Sequence, residues 1–360
     1  MHRSRELDLL LSLLQASVSE RAPSQFDAGP IDWDAFLALA RFHRVQGLVW
    51  RELAADKQAV PAPVAEALAM ESRAIAAANL RAVQAAAELS GRFSGAGLPL
   101  LFVKGLTLAG RLYGDAWTKT SVDIDILVAP EDLRASGRML DELGYRVALH
   151  DPADLELAHR RSKESSWKHS ATGVQVDLHT RLADNPRLIP DIGLQSPRQS
   201  IAIADGVELP TLADQPLLAY LAVHGASSAW FRIKWAVDFA ALAARLGPGR
   251  LQMAYESART AGAGRAVDQA LLVADALFGS LEDAPSLKAQ LLAQTANRRL
   301  ARTALRLACI STPREPTEQR FGTVPIHLTQ LMLRDDWAFK ASELSRQVRT
   351  ALLNRRLHRP

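Results

Sequence analysis

Residues 98–128 read LPLLFVKGLTLAGRLYGDAWTKTSVDIDILV. The apolar start of this stretch predicts a strand at residues 100–104, and the spacing of apolar residues at 106–113 predicts a helix. Gly105 lies between the two, at the turn where the helix begins. A helix N-terminus offers free backbone N–H groups to an anion, and a glycine leaves no Cβ in the way. The turn is therefore a candidate phosphate site, with Lys104 or Lys119 as the nearby positive charge.

Acidic and apolar residues alternate at 122–128, which predicts a second strand. Side chains two positions apart on a strand share a face. Asp123 and Asp125 are therefore predicted to lie side by side, and the opposite face is predicted to pack into the core with Val122, Ile124 and Ile126. Two like charges held close together destabilise each other without a counter-charge. A divalent metal ion is the expected counter-charge.

A third acidic residue lies on another alternating stretch. Residues 165–171 and 174–180 flank Thr172–Gly173 and are predicted to form a hairpin. The second arm of this hairpin places three polar side chains on one face, namely Gln175, Asp177 and His179. Asp177 is the candidate third metal ligand. His179 is a candidate either for orienting a carboxylate or for acting as a general base.

Three carboxylates suit two-metal phosphoryl or nucleotidyl transfer. Asp123, Asp125 and Asp177 are the predicted catalytic and metal-binding residues. Such a set holds two Mg²⁺ ions, one of which activates the attacking hydroxyl while the other neutralises the triphosphate. Magnesium prefers oxygen ligands and leaves positions for water and substrate phosphate, so a few carboxylates suffice. Two Mg²⁺ ions are the predicted cofactors, with Mn²⁺ as the alternative.

The predicted fold class is α+β. A small mixed β-sheet core at residues 98–210 is flanked by an N-terminal helical region at 1–97 and a C-terminal helical domain with a basic tail at 211–360. Helical spacing predicts helices at 4–18, 32–54, 64–93, 131–145, 215–227, 229–246, 250–261, 264–278, 285–310 and 337–357. Two further strands are predicted, at 145–150 and around 201–209.

Composition is that of a soluble globular protein. The chain has 360 residues, of which 48% are hydrophobic and 23% charged, and no apolar run approaches the roughly 20 residues that a membrane span needs. The single cysteine cannot form an internal disulfide, so a reducing compartment and cytoplasmic location are expected. Residues 334–360 hold seven basic and three acidic side chains, which indicates a solvated helix face or, as the sharper hypothesis, an RNA-binding tail.

The motifs together resemble the DNA polymerase beta-like nucleotidyltransferase superfamily, and most closely its uncharacterised bacterial nucleotidyltransferase family. The resemblance spans roughly residues 30–280 and is carried by Asp32–Trp33, 40–45, Lys104–Gly105, Tyr113, Lys119, 123–128, 177–179, His224–Gly225, Trp230, Arg232, Lys234–Trp235 and Asp238. Two positions depart from the pattern. Leu106 stands where many members have a serine, and Thr107 is the candidate hydroxyl to replace it. Lys119 stands where an arginine is usual and lacks its bidentate geometry.

This resemblance implies transfer of a nucleoside monophosphate from an NTP, with ATP as the expected donor. It implies a helical wall facing the nucleotide, with Arg232 and Lys234 joining Lys104, Gly105 and Lys119 as nucleotide-binding residues. The remaining candidates, for the acceptor side or for support of the carboxylates, are Trp167, His169, His179 and His224. For each of these helix and hairpin residues, a purely structural role is the alternative.

Two other functions fit the same residues. A kinase-like phosphoryltransferase would use the same metal site to modify a peptide or small molecule. A non-catalytic RNA-binding or toxin-system component would instead use the basic tail. The sequence leaves the acceptor open among a small molecule, a peptide, a protein and RNA, because function depends on sites rather than on folds.

Overall fold

The computed structural model describes residues 3–19, 30–55, 60–148, 154–310, 313–319 and 321–357 and has the predicted α+β architecture. The N-terminal part contains α1 (Arg5–Val18), α2 (Trp33–His43), α3 (Gln46–Ala55) and α4 (Ala62–Gly95). The central part contains β1 (Leu100–Phe102), α5 (Leu106–Tyr113), β2 (Ile124–Val128), α6 (Leu133–Glu142), β3 (Tyr145–Val147), α7 (Leu155–Arg161), β4 (Glu164–His169), β5 (Gln175–His179), β6 (Arg198–Ala204) and β7 (Val207–Leu212).

The C-terminal part of the described chain is helical. It contains α8 (Asp214–Ser227), α9 (Ile233–Thr260), α10 (Arg265–Phe278), α11 (Pro285–Ala293), α12 (Thr295–Ala308), α13 (Val324–Leu331) and α14 (Trp337–Leu357). None of the helices in the described ranges is long and apolar enough to cross a membrane. The last residues of the basic tail, including Arg359, lie outside the described residues.

The central sheet has five strands in the order β1-β2-β5-β4-β3. It is mixed, because β2 and β5 run parallel while the other neighbouring pairs are antiparallel. In the parallel pair, Asp125 lies directly opposite Asp177, so both carboxylates leave the sheet at the same level. β4 and β5 form the hairpin predicted from Thr172–Gly173.

The two faces of the sheet pack into different cores. On one face, Phe102 and Ile126 belong to a cluster that includes residues of α4 and α6. On the other, Val103 and Leu127 join a larger cluster built with α8, α9 and the N-terminal helices. Side chains alternate along a strand, so Asp125, two positions before Leu127, is on the face turned toward the helical core. The acids therefore lie between sheet and helices.

Helix boundaries confirm some predictions and correct others. Asp32 opens α2 as predicted, because its carboxylate accepts a hydrogen bond from the Ala35 amide at 3.0 Å. The prediction of one helix over 32–54 is wrong, since Arg44 adopts a left-handed conformation with φ 56° and separates α2 from α3. The prediction of one helix over 285–310 is also wrong, because Gln294 has an extended conformation between α11 and α12. Gly247, with φ 68°, interrupts α9 where a break was predicted.

The strand predictions need smaller corrections. The single strand predicted at 201–209 is a two-stranded hairpin, β6–β7, which turns at Gly206. β3 ends at Val147, and residues 149–150 of the strand predicted at 145–150 lie outside the described residues. Val122 is 54% exposed rather than buried, because it lies before the start of β2 and leaves the sheet surface.

Candidate functional site

The Gly105 turn joins β1 to α5 as predicted. Gly105 has φ 65° and ψ −114°, a conformation that side-chain-bearing residues rarely adopt. A Cβ at this position would lie 3.4 Å from the Asp123 carbonyl oxygen, so the turn packs closely on the segment that leads into β2. The glycine therefore brings the start of α5 next to the acidic strand.

Three predicted metal ligands come together at this point. Asp123, Asp125 and Asp177 each offer a carboxylate oxygen, and these oxygens lie within 4.8 Å of one another. Asp177 is held by two donors, since its Oδ1 accepts from Ser166 Oγ at 2.7 Å and from Gln175 Nε2 at 3.1 Å. The strand alternation and the parallel pairing of β2 with β5 together produce this cluster.

Lys104 supplies part of the counter-charge that the sequence assigned to metal alone. Its Nζ lies 2.8 Å from Asp125 Oδ1 and 4.0 Å from Asp123 Oδ1. Burial would raise the pKa of the Asp125 carboxyl, but Lys104 and His179 hold it well below its usual range. Burial and the charge of Asp125 raise the pKa of Asp123. One ammonium group opposes three carboxylates here, so negative charge remains in excess.

Glu164 is a site residue that sequence reasoning missed. His179 Nε2 lies 3.0 Å from Asp125 Oδ1 and 3.2 Å from Glu164 Oε2, and the His179 side chain is fully buried. Glu164 also pairs with Lys163. Burial would raise the pKa of Glu164, but His179 and Lys163 lower it overall. Glu164 immediately precedes the strand predicted at 165–171, and the observed hairpin register places it opposite His179.

The donor set fits a divalent cation. Asp125 Oδ1 is occupied by Lys104 and His179, whereas Oδ2 is buried and has no hydrogen-bond partner among the described residues. A buried carboxylate oxygen without a partner costs free energy unless a ligand satisfies it. Oxygen donors with net negative charge are what Mg²⁺ and Mn²⁺ prefer. Asp123, Asp125 and Asp177 would hold such an ion, and Asp125, Glu164 and His179 form a second set within 4.8 Å.

A cleft opens between this cluster and α8–α9. It is lined by Lys104, Gly105, Leu108, Lys119, Thr120, Ser121, Val122, Asp123, Leu221, His224, Lys234, Trp235 and Asp238. Besides Asp123, five predicted residues line one wall or the other: Lys104, Gly105, Lys119, His224 and Lys234. The cleft has a volume of about 40 Å³.

The basic residues of the cleft have different partners. Lys119 Nζ lies 3.2 Å from Asp238 Oδ2, and Tyr113 donates a hydrogen bond to the other oxygen of Asp238 at 2.7 Å. Lys234 has no ion pair among the described residues. Burial and the charges of Lys119 and Arg44 lower its pKa to about 7. Lys234 is therefore the cleft cation that remains available to an anionic ligand.

His224 is neutral and forms part of the wall. It packs against Tyr220 and against Trp235, with ring centroids 5.8 Å apart in both pairs. Burial and the charge of Lys104 lower the pKa of His224 well below its usual value. A neutral imidazole at this position contributes a polar, uncharged surface.

Three predicted residues lie away from the carboxylates. Arg232 donates to the Phe42 carbonyl oxygen and pairs with Glu315, and it is not among the residues that line the cleft. Trp167 is buried and donates to Ser165 Oγ at 3.0 Å. His169 accepts from the Ala171 and Thr172 amides at the hairpin turn. These contacts give all three a structural role, and their predicted contacts with nucleotide or acceptor stay predictions.

Comparison with known proteins shows which family the sequence resembles. The sequence model of a protein family described as an uncharacterised nucleotidyltransferase matches residues 29–279. No curated protein and no solved structure matches the chain. The matched range includes the carboxylates, the Gly105 turn and the α8–α9 wall, and it ends before α11.

Proposed function

The chain belongs to this family of uncharacterised nucleotidyltransferases, and from that premise we propose that it transfers a nucleoside monophosphate from an NTP to an acceptor. ATP is the proposed donor, a hydroxyl or phosphate group is the proposed acceptor, and pyrophosphate is released. The observation that carries the proposal is the cluster of Asp123, Asp125 and Asp177 beside the basic cleft. Carboxylates that could bind metal and lysines that could bind phosphate lie next to each other at this cleft.

The carboxylates have distinct roles in this proposal. Asp123 and Asp125 would hold two Mg²⁺ ions, and Asp177 would complete the one that serves the acceptor. When bound, such ions lower the pKa of an attacking hydroxyl and neutralise charge on the triphosphate. Ser166 and Gln175 fix the orientation of Asp177, while His179 fixes that of Asp125. Preorganised ligands of this kind do not have to rearrange when substrate binds.

The basic residues would act on the donor. Lys104 keeps Asp125 ionised, because an ammonium group at 2.8 Å favours the charged carboxylate. Lys119 and Lys234 face the cleft from its two walls and would hold the polyphosphate as point charges. The Gly105 turn brings the first amides of α5 close to the same place.

Labelled ATP tests which phosphate is transferred. The protein is incubated with Mg²⁺, with α- or γ-labelled ATP, and with separated small-molecule, RNA and protein fractions of a cell extract. Transfer of the α label with release of pyrophosphate supports nucleotidyl transfer. Transfer of the γ label with release of ADP would replace it with phosphoryl transfer.

Matched carboxylate variants link the activity to this site. Asp125→Asn should abolish transfer and reduce Mn²⁺ binding measured by electron paramagnetic resonance. Asp141→Asn is the control, because Asp141 is an exposed carboxylate on α6 that pairs with Arg146. Full activity and metal binding in Asp125→Asn would eliminate the mechanism.

A further inference from the structure

Two hydroxyl groups in the cleft have no hydrogen-bond partner among the described residues. The Oγ1 of Thr120 and the Oγ of Ser121 are both buried, and neither forms a hydrogen bond within the described part of the chain. Both residues line the cleft with Lys104, Lys119 and Lys234. Buried polar atoms in native proteins are almost always hydrogen-bonded, so two adjacent exceptions need an explanation.

The position of Ser121 supplies that explanation. Its Oγ lies 3.7 Å from the point that a Cβ on Gly105 would occupy, so this hydroxyl is at the glycine turn itself. Leu106 follows that glycine, at the position where the family resemblance implies a serine hydroxyl that contacts phosphate. Ser121 brings a hydroxyl to the same turn from the segment before β2.

Thr107 does not provide this hydroxyl. Its Oγ1 donates to the Phe102 carbonyl oxygen at 3.2 Å and also lies 3.5 Å from Thr211 Oγ1. The Thr107 side chain is buried, with 1% exposure, on the β7 side of α5. Its hydrogen-bonding capacity is thus used within the fold.

We propose that Ser121, assisted by Thr120, binds phosphate oxygens of the NTP donor and takes the place of the hydroxyl that Leu106 lacks. This inference rests on the proposed function, since it assigns new residues to the donor site. The ligand chemistry is a polyphosphate. Three lysines line the same cleft as the two hydroxyls, and Lys234 has no ion pair with a carboxylate among the described residues. The cavity of about 40 Å³ admits phosphate oxygens, whereas a base or ribose would have to lie outside it.

Binding of inorganic tripolyphosphate to the full chain tests the proposal without turnover. Affinity is measured by titration calorimetry with and without Mg²⁺, and orthophosphate is titrated in parallel. Ser121→Ala should weaken tripolyphosphate binding about tenfold or more, because a hydrogen bond to a charged group is lost. Ser121→Thr, which keeps the hydroxyl, should recover most of the affinity. Thr120→Val should give a smaller loss.

Ser136→Ala is the matched control. Ser136 lies on α6, away from the cleft, and its Oγ is also buried without a hydrogen-bond partner in the described part of the chain. Removing an unpartnered buried hydroxyl is expected to leave folding intact in both variants, which thermal unfolding checks. Ser136→Ala should bind tripolyphosphate like the wild type.

The outcomes separate this inference from the function on which it rests. Unchanged tripolyphosphate affinity in Ser121→Ala overturns the inference even if the wild type transfers nucleotides. Equal loss in Ser121→Ala and Ser136→Ala, or no tripolyphosphate binding by the wild type, also overturns it. Selective loss in Ser121→Ala without NTP turnover by the wild type supports the phosphate site and rejects nucleotidyl transfer. Equal affinity for orthophosphate and tripolyphosphate overturns the assignment to a polyphosphate.

Discussion

His179 Nε2 lies 3.0 Å from Asp125 Oδ1, and both side chains are fully buried. A single ring nitrogen therefore fixes one oxygen of the central carboxylate and leaves Oδ2 without a partner in the described structure. Glu164, on the neighbouring strand β4, lies 3.2 Å from the same nitrogen. His179 and Glu164 are placed to orient the metal ligand Asp125 rather than to contact substrate. Substituting them should therefore change metal affinity more directly than substrate binding.

Replacing His179 should weaken metal binding. His179→Ala is expected to raise the Mg²⁺ concentration needed for half-maximal activity about 10- to 100-fold. His179→Gln, whose amide can still donate to Asp125, should recover part of the loss. Mn²⁺ binding by electron paramagnetic resonance gives a readout independent of turnover. His327→Ala, at an exposed position on α13, should behave like the wild type. Unchanged Mn²⁺ affinity in His179→Ala would contradict the positioning role.

Glu164 and His179 should act as a unit. Because Glu164 holds the same nitrogen that holds Asp125, removing both side chains should cost less than the sum of the single losses. A double-mutant cycle of Glu164→Ala and His179→Ala on Mn²⁺ affinity is expected to show a coupling of about 0.5–3 kcal/mol. Strict additivity would mean that Glu164 does not act through His179.

Two glycine-to-alanine substitutions should have opposite effects on stability. Gly105→Ala introduces a Cβ at φ 65° and should lower the free energy of unfolding by about 1–3 kcal/mol. Gly91 is a helical residue of α4, and a Cβ there would meet no atom within 4 Å. Gly91→Ala should therefore stabilise the protein by about 0.5–1 kcal/mol. Urea unfolding measures both. Equal effects of the two substitutions would show that the Gly105 conformation is not required.

The sequence was most informative where local pattern and chemistry coincide. The alternation around Asp123 and Asp125 predicted a carboxylate pair, and the hairpin predicted at Thr172–Gly173 placed Asp177 on a second strand. Both are short-range signals. The family match over residues 29–279 confirms the resemblance that these motifs suggested.

Long-range pairing accounts for what the sequence left out. Glu164 joins the site only through its register with His179, and Lys104 turns toward Asp125 only because β1 and β2 are neighbours. The family resemblance implied that Arg232 lies on the helical wall of the cleft. The contacts of its guanidinium with Phe42 and Glu315, which hold it elsewhere, join residues far apart in the chain. The break between α2 and α3 lies at Arg44, which is neither a glycine nor a proline, so the residue type did not predict it.

Polyphosphate affinity should fall as the pH rises through neutrality. Burial and the charges of Lys119 and Arg44 lower the pKa of Lys234 to about 7, so the free protein carries this charge below pH 7 and loses it above. A polyphosphate favours the protonated lysine, and binding above pH 7 must therefore include proton uptake. By linkage, the need to take up one proton weakens binding by up to about tenfold for each pH unit above the pKa.

Lys234→Arg separates this effect from ionisation of the ligand itself. An arginine stays charged throughout the range, so the variant should bind tripolyphosphate with a flatter pH dependence between pH 6 and 9 than the wild type. Ligand ionisation is common to both proteins and cancels in the comparison. Lys234→Met should bind weakly and show the same flat profile. If tripolyphosphate affinity depends on pH with the same slope in the wild type and in Lys234→Arg, Lys234 does not contact the phosphate.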